Sequence, residues 1–401
     1  MTELATPPPH VPRERIVDID IYSPPGVEHG FHHAWAALQA DNPDVVWTPR
    51  NEGHWIVLGG AALQEVQCDA ERFSSRVIVL PKSVGELHAL IPTTIDPPAH
   101  RPYRLLLNAN LNPAAVRGLS EEIRATAGAL IDSFLAAGHC NFTAQYAEVF
   151  PVRIFMALVD LPEAEAPRIR HWAECMTRPG QDLTFETARS LFFEYLEPVV
   201  EARRAAPGDD MLSRMLTSGL DGRPLDHDQA LSICTQVLIA GLDTVVNFLS
   251  FAMRALAEDE TARAALRANP NSITSAVNEL FRRFGLVTIA REVRNDIDFR
   301  GVLLMAGEMI AIPTAVHGLD PAINPNPLKI DFARTRARHS AFGSGPHMCP
   351  GQELARQEVA TTLTEWLRRI PDFRVAPDSD LSHVPGIVGS IRRLCLEWEI
   401  P

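Results

Sequence analysis

A glycine-rich segment near the C-terminus, Phe342 to Gly351, places one cysteine directly before a stretch with helical periodicity. The segment reads Phe-Gly-Ser-Gly-Pro-His-Met-Cys-Pro-Gly, and the periodic stretch follows at 352–369. Glycines tolerate positive φ and allow close backbone approach to a flat ligand, which we expect of Gly343, Gly345 and Gly351. Cys349 then lies at the helix N-terminus, where free amide groups and the helix dipole lower the pKa of a thiol.

This arrangement favours a cysteine thiolate that binds haem iron. An anionic sulfur donates electron density to the iron and favours O–O cleavage. One alternative is a zinc site, but zinc needs about four ligands in paired clusters, and no second Cys/His pair of suitable spacing occurs in the sequence. The other alternative is a buried structural cysteine, which the intact Phe-Gly-x-Gly-x-His-x-Cys-x-Gly spacing disfavours.

The cysteine loop resembles the haem-ligand signature of the cytochromes P450. Two distant segments add to the resemblance: 279–282 (Glu-Leu-Phe-Arg) is similar to the Glu-x-x-Arg helix, and 240–244 (Ala-Gly-Leu-Asp-Thr) is similar to the oxygen-binding helix. Segments 140–143, 153–156 and 241–253 resemble the camphor-hydroxylating branch of the bacterial enzymes, and the resemblance is nearly collinear from about residue 30 onward.

The resemblance implies a P450 fold that is mainly α with a small β region. It implies haem b buried between the long oxygen-binding helix and the cysteine-loop helix, in one domain over 1–401 with a partly irregular arm at 1–29. The hydrophobic periodicity agrees with this fold class. It predicts helices at 120–137, 187–204, 226–257, 260–268, 273–284 and 352–369, and strands at 45–47, 54–58, 298–302, 309–313 and 394–398.

Asp243 and Thr244 place an acid beside an alcohol on the predicted oxygen-binding helix. Ala240 and Gly241 leave space for haem next to them. The Thr244 hydroxyl can bond to the carbonyl four residues earlier and loosen the helix, so the pair is expected to deliver protons to O₂. Considered alone, the pair could instead be a threonine inside a helix next to an exposed aspartate, without a role in proton delivery.

Haem carries two propionates, which need cationic or hydrogen-bonding partners. His100 and Arg104 share one face of a predicted helix opened by two prolines. The resemblance adds Arg291 and His347 as partners and assigns Glu279, Arg282 and Arg334 to a buried structural network. At Ile289 the chain departs from the camphor enzymes, which have an acidic residue near a propionate.

For the substrate pocket, the resemblance places His88 where the camphor enzymes have a tyrosine that binds the substrate ketone. Histidine can also donate a hydrogen bond, and its charge can change near neutral pH; a solvent-facing loop histidine is the alternative. The resemblance implies the apolar wall residues Val79, Ile239, Val287, Ile387 and Val388, and the lid residues Met176, Thr177 and Phe185. Because Val79 replaces a bulky aromatic, we expect a larger terpenoid-like substrate, such as a ketone.

Composition argues against two classes of partner. The net charge is −13, and no basic block is present, which disfavours nucleic-acid binding. The first residues lack a signal-peptide pattern, and we expect no membrane-spanning segment. Six scattered cysteines are typical of a reducing compartment, so we expect a cytoplasmic protein. We also expect a monomer.

Electrons must come from another protein, because the chain has no flavin or iron–sulfur motif. The resemblance implies a [2Fe–2S] ferredoxin, reduced by an NAD(P)H-dependent reductase. Arg101, Arg104, Arg338 and Arg356 are expected to form a basic patch that attracts it, although scattered solubilising arginines are the alternative.

Together these features favour a haem monooxygenase that hydroxylates a hydrophobic small molecule with O₂. An H₂O₂-dependent peroxygenase is one alternative, but it does not need the Asp243–Thr244 proton relay. A non-catalytic haem sensor is another, but no output domain is visible in the chain.

Overall fold

The computed structural model describes residues 4–178 and 180–400, and α-helices account for most of it. The helices are α1 (Phe31–Asp41), α2 (Gly60–Cys68), α3 (Lys82–Gly85), α4 (His100–Leu111), α5 (Pro113–Gly118), α6 (Ser120–Phe134), α7 (Phe150–Leu158), α8 (Ala166–Thr177), α9 (Phe185–Ala205), α10 (Met211–Ser218), α11 (His227–Glu258), α12 (Glu260–Ala268), α13 (Ile273–Arg283), α14 (Ala315–Leu319) and α15 (Gln352–Arg369). The mainly α class predicted from the sequence is confirmed.

The β portion is small and divided among four sheets of the described chain. The strands are β1 (Val45–Thr48), β2 (His54–Val57), β3 (Phe73–Ser74), β4 (His139–Asn141), β5 (Thr288–Val293), β6 (Ile297–Phe299), β7 (Val302–Leu304), β8 (Met309–Pro313), β9 (Arg374–Val375), β10 (Asp380–Val384), β11 (Ser390–Arg393) and β12 (Cys395–Glu397). The largest sheet has the order β1-β2-β8-β5-β3, in which β2 and β8 are parallel and the other pairs antiparallel.

The sequence predicted most long helices closely, but one strand assignment is wrong. Helices 260–268 and 352–369 have the predicted bounds, while the helix from Ser120 ends at Phe134 and a 3₁₀ turn continues to Ala137. The segment predicted as one strand, 298–302, instead contains the end of β6, a two-residue turn and the start of β7. Arg300 and Gly301 adopt φ of 54° and 77°, the two-residue geometry that reverses a chain between antiparallel strands.

Helix α11 crosses the centre of the fold and begins with a capping box. The Asp226 side chain accepts from the Gln229 amide, and the Gln229 side chain accepts from the Asp226 amide, which satisfies two free backbone donors. Within the described chain, this is the one helix long and apolar enough to span a membrane, judged by length and composition alone. However, 72% of its apolar window is buried inside the protein, as expected of a core helix.

Three packed aromatic rings connect α11 to the cysteine loop. Phe248 of α11 stacks on Phe281 of α13 with ring centroids 4.0 Å apart, and Phe281 packs against Phe342 at 4.4 Å. The Arg356 guanidinium of α15 lies 4.7 Å from the Phe342 ring centroid on the same loop, a distance at which cation and ring attract. The segments that carry the two predicted haem-binding motifs are therefore packed together through one aromatic cluster.

Candidate haem and substrate site

The cysteine loop is held by backbone hydrogen bonds and by two glycines in the left-handed region. The Cys349 amide donates to the Phe342 carbonyl at 2.7 Å, and Gly343 and Gly345 have φ of 74° and 71°. At Gly345 a Cβ would lie 2.6 Å from the Gln67 carbonyl oxygen, so this glycine is required by contact with α2. The expectation of positive φ is wrong for Gly351, whose φ of −82° is open to any residue.

Burial, more than the helix end, sets the acidity of the Cys349 thiol in the protein chain. Burial raises the pKa of Cys349, while the Gly351 amide, Arg104 and Arg356 lower it only in part. The Gly351 amide at the helix N-terminus therefore lowers the thiol pKa as predicted, but burial outweighs it in the protein chain. Coordination to a metal deprotonates a thiol outright, so an iron held by Cys349 would stabilise the thiolate against the effect of burial.

A mostly apolar cavity of about 360 Å³ joins the cysteine loop to helix α11. Cys349 and Phe342 line it together with Ala240, Gly241 and Thr244. A Cβ on Gly241 would lie 2.3 Å from the Phe155 ring, so the absent side chain also allows α7 to pack against α11. The cysteine loop and the 240–244 motif of α11 therefore line the same cavity.

Thr244 and Asp243 are adjacent in sequence but have different surroundings. The Thr244 hydroxyl donates to the Ala240 carbonyl at 3.4 Å, a long and weak bond, and α11 runs unbroken through this point. The expected loosening therefore does not interrupt the helix. Asp243 is 3% exposed, which excludes the reading of it as an exposed acid.

Arg178, just after the end of α8, holds the Asp243 carboxylate. Its Nη2 donates to both carboxylate oxygens, at 3.0 and 2.8 Å, and Asn247 Nδ2 donates to Oδ1 at 2.8 Å. The Arg178 side chain is 7% exposed, so this is a buried ion pair, and breaking it by loss of one partner is costly. These three bonds hold the Asp243 carboxylate in one orientation.

The four residues predicted to bind propionates line the cavity and lack an acidic partner in the described chain. Arg104 donates to the Asn108 amide oxygen at 2.8 Å, and fully buried Arg291 donates to the Ala290 carbonyl at 2.9 Å. Burial lowers the pKa of Arg291 to about 10.

Two histidines complete this cationic and hydrogen-bonding group. The rings of His100 and His347 lie 4.2 Å apart, and the buried His347 Nε2 has no hydrogen-bond partner in the described chain. Burial, with positive charge nearby, lowers the pKa of His347 to about 3, so its ring is neutral. Two uncompensated guanidinium groups and an orphaned imidazole nitrogen fit the carboxylates of a haem. Ile289, the noted departure, lines the same cavity.

Glu279 and Arg282 of α13 form a buried network instead of a surface pair. Arg282 donates to both oxygens of Glu279 at 2.8 Å, and Arg334 Nε approaches the same carboxylate at 3.1 Å. Arg282 also donates to the carbonyls of Gly318, Pro327 and Lys329. The network joins α13 to the segment that leads into the cysteine loop.

Of the residues predicted to bind substrate, one lines the cavity and the others do not. Val287 lines it, whereas Val79, His88, Ile239, Ile387, Val388, Met176, Thr177 and Phe185 are not among its lining residues. Contacts nevertheless connect several of them: Val287 pairs with Val388, the Ile387 amide donates to the Thr177 carbonyl at 3.0 Å, and the rings of His88 and Phe185 are 5.2 Å apart.

His88 is 4% exposed, which excludes the solvent-facing alternative. Burial, with Arg189 nearby, lowers the pKa of His88 to about 4. The expectation that its charge changes near neutral pH is therefore wrong, because the ring is neutral there. Its buried Nδ1 has no partner among the described residues and can bond to a polar group.

Sequence reasoning missed two groups at the site, Arg178 and Glu358. Glu358 lines the cavity, and burial raises the pKa of its carboxyl well above the usual value. The sequence feature that could have identified Glu358 is its position on the apolar face of α15, one turn after Leu354. Arg178 had no such signal, since it lies 65 residues from Asp243 in the chain.

The fold and this site define a haem–thiolate protein. Residues 176–385 match the family model of cytochrome P450. A probable cytochrome P450 127A1 from Sinorhizobium fredii is 32% identical over 95% of this chain and 95% of that protein. Pentalenic acid synthase from Streptomyces avermitilis is 28% identical over 83% of this chain and 85% of that protein.

Two crystal structures are similar over nearly the whole chain. Those of CYP101J2 and CYP101C1 are 44% and 37% identical, cover 98% of this chain and 100% of their own, and each has a TM-score of 0.91. The chain belongs to the cytochrome P450 family, and its resemblance to the camphor-type bacterial subfamily is confirmed. It is a haem monooxygenase, and its cofactor is haem b.

Proposed function

We propose that this enzyme hydroxylates an unactivated C–H bond of a hydrophobic terpenoid- or norisoprenoid-like molecule, using O₂ and electrons from a [2Fe–2S] ferredoxin. The observation that carries the proposal is the Asp243–Thr244 pair beside a mostly apolar cavity that Cys349 also lines. Haem bound through Cys349 supplies the oxygen chemistry, since a thiolate ligand favours O–O cleavage. The protein must supply a dry binding site and controlled protons.

Thr244 is the residue that we assign to proton transfer at the cavity. Its hydroxyl can accept a proton on one side and donate one on the other, and its bond to Ala240 is weak enough at 3.4 Å to be exchanged. Asp243 is the proton source behind it once Arg178 releases the carboxylate. Arg178 follows α8 directly, so movement of the segment between α8 and α9 is the event that would release Asp243.

The apolar lining selects a hydrophobic substrate, and the proposal assigns one polar contact to His88, which lies outside the lining of the cavity and must approach the bound molecule. A neutral, buried imidazole whose Nδ1 has no partner in the described chain can donate to a ketone oxygen. Val79 is buried next to the same loop, since a Cβ on Gly85 would meet the Val79 carbonyl at 2.2 Å. Val79 does not line the cavity, so the proposal of a substrate larger than camphor rests on valine taking the place of a bulky aromatic.

The electron donor binds, in our proposal, near exposed arginines on the cysteine-loop side. Of the four arginines predicted for this surface, Arg101 and Arg338 are exposed. Arg104 lines the cavity, and Arg356 is bonded to Glu353 and Gln352. The basic patch therefore depends on Arg101 and Arg338.

We further infer a single domain that acts as a monomer in the cytoplasm. One buried hydrophobic cluster extends from Val11 to Trp398, which supports a single folding unit. All six cysteines are free thiols, as is usual in a reducing compartment.

The test combines ligand titration with turnover. Haem spin state is titrated with camphor and with larger cyclic terpenoid ketones, and product is then measured with a ferredoxin, its reductase and NAD(P)H. We expect larger ketones to give the tighter and more complete shift, and Val79→Phe to reverse that order. A complete shift with camphor and none with larger ketones would refute the substrate class.

The same preparation distinguishes the peroxygenase. With H₂O₂ in place of the electron-transfer proteins, we expect far less product, because Asp243 and Thr244 serve proton delivery to O₂. Equal product from H₂O₂ alone would refute the O₂-dependent proposal.

A further inference from the structure

Three potential metal ligands meet at the junction of α8 and α9, so the expectation that the chain has no second Cys/His pair of suitable spacing is wrong. His171 and Cys175 are four residues apart on α8, and therefore on one face of the helix, and Asp182 lies in the connection to α9. His171 Nε2, Cys175 Sγ and an Asp182 carboxylate oxygen all lie within 4.8 Å of one another. None of them lines the cavity described above.

The separations of the three ligand atoms match one coordination sphere. His171 Nε2 is 3.2 Å from Asp182 Oδ1, and Cys175 Sγ is 3.6 Å from Asp182 Oδ1 and 3.9 Å from His171 Nε2. Tetrahedral zinc with Zn–S of about 2.3 Å and Zn–N or Zn–O of about 2.0–2.1 Å requires roughly 3.3 Å between N and O, and roughly 3.5 Å from S to either. The observed spacings need adjustments of only a few tenths of an ångström.

A Cys-His-Asp catalytic triad does not account for the cluster. In such a triad the acid orients the imidazole through one ring nitrogen, while the other faces the nucleophile. Here Cys175 and Asp182 both face Nε2 of His171, which is the arrangement of ligands around a common centre.

The cluster is accessible to solvent on one side. Cys175 is nearly buried, while the side chains of His171 and Asp182 are 43% and 69% exposed. In the described chain the polar side-chain atoms of His171 and Asp182 bond only within the cluster. Three protein ligands with an open fourth position suit Zn²⁺, and the thiolate and imidazole favour it over Mg²⁺ or Ca²⁺.

We propose that His171, Cys175 and Asp182 bind a thiophilic divalent cation of the Zn²⁺ type, which ties the α8–α9 connection to α8. This connection contains Arg178, the partner of Asp243, and leads into Phe185, which packs against His88. Zn²⁺ binding therefore restrains the segment whose movement would release Asp243. Because the thiol must lose its proton to bind, Zn²⁺ affinity rises with pH.

The test is equilibrium dialysis of the haem-loaded enzyme against Zn²⁺, followed by X-ray absorption at the zinc edge. We expect one zinc per chain with one sulfur neighbour at about 2.3 Å. Cys175→Ala should lose the sulfur signal. Loss of a ligand should weaken binding by more than the roughly 10–100-fold that an outer-shell substitution costs. The control Cys68→Ala removes an exposed thiol outside the cluster and should keep the site.

A second variant separates loss of the ligand from loss of the fold. Asp182 is exposed, so Asp182→Asn should leave the reduced carbon monoxide spectrum unchanged while weakening zinc binding. Hydrogen exchange at residues 180–184 should slow with zinc in the wild type and in Cys68→Ala, but not in Cys175→Ala. The proposal is overturned if Cys175→Ala binds zinc as tightly as the wild type, or if the wild type binds zinc without a sulfur neighbour.

Discussion

Removal of the Arg282 guanidinium should destabilise the enzyme far more than removal of an exposed arginine. Arg282 has no solvent exposure, and its nitrogens donate to both oxygens of Glu279 and to the carbonyls of Gly318, Pro327 and Lys329. Arg282→Met retains much of the aliphatic length but leaves those acceptors without their donor. Arg334 and the Asp331 amide still contact the Glu279 carboxylate, so part of the network remains.

The expected cost follows from the loss of one partner in a buried ion pair, which is about 3–5 kcal/mol. Unfolding entropy is about 2.1 cal/mol/K per residue. Over a chain of 401 residues, the cost corresponds to a decrease in melting temperature of about 4–6 °C. Haem should also be lost more readily, since the network holds the segment that leads to Cys349.

Differential scanning calorimetry at one scan rate, with the haem-to-protein absorbance ratio, measures both effects. Arg254→Met is the matched control, because Arg254 makes a partly exposed pair with Glu258 on α11 at 2.9 Å. Such pairs contribute about 0–1 kcal/mol, so the control should melt within about 1 °C of the wild type. If Arg282→Met melts as high as Arg254→Met and keeps its haem, the network does not stabilise the fold.

Three further outcomes test the proton path, the thiolate and the buried histidines. Thr244→Ala should continue to consume O₂ while product falls and H₂O₂ rises, because the hydroxyl that controls proton delivery is gone; unchanged coupling would remove Thr244 from the path. Pro350→Leu supplies an N–H beside a sulfur that already accepts from the Gly351 amide, so we expect the Fe(III)/Fe(II) potential to rise by tens of millivolts, since such bonds are worth roughly 1.5–3 kcal/mol. Electrochemistry of the substrate-bound variant checks this, and a fixed or lower potential contradicts it. Burial lowers the pKa of His54 to about 3, below its unfolded value of about 6.5, so stability is lost as pH falls from about 6.5 towards 3. His54→Phe should reduce that slope by up to about 1.4 kcal/mol per pH unit in denaturant titrations, and parallel pH curves for variant and wild type would contradict the assignment.

Sequence alone predicts best where local spacing determines the structure. The bounds 260–268 and 352–369 were predictable because hydrophobic periodicity continues to both ends of each helix. Glu279 and Arg282 could be placed on one face from their spacing, but the burial of the pair comes from α14 and the segment at 327–334.

Tertiary contacts account for what the sequence did not predict. The Asp243–Arg178 pair depends on how α8 packs against α11, and the low pKa of His88 depends on burial by neighbouring elements. The short strand-like stretch at 298–302 could not show that Arg300 and Gly301 reverse the chain. The need for glycine at Gly345 comes from α2, which is distant in sequence.

Carbon monoxide difference absorption of the reduced enzyme tests the central claim most directly, because it reports the ligand opposite carbon monoxide on the haem iron. The wild type and Cys68→Ser should give the Soret band of a thiolate adduct. Cys349→Ser should lose that band while keeping much of the fold by far-UV circular dichroism, since a neutral serine hydroxyl is a poor ligand for iron. A thiolate-type band that persists in Cys349→Ser would contradict the assignment of Cys349 and the site built around it.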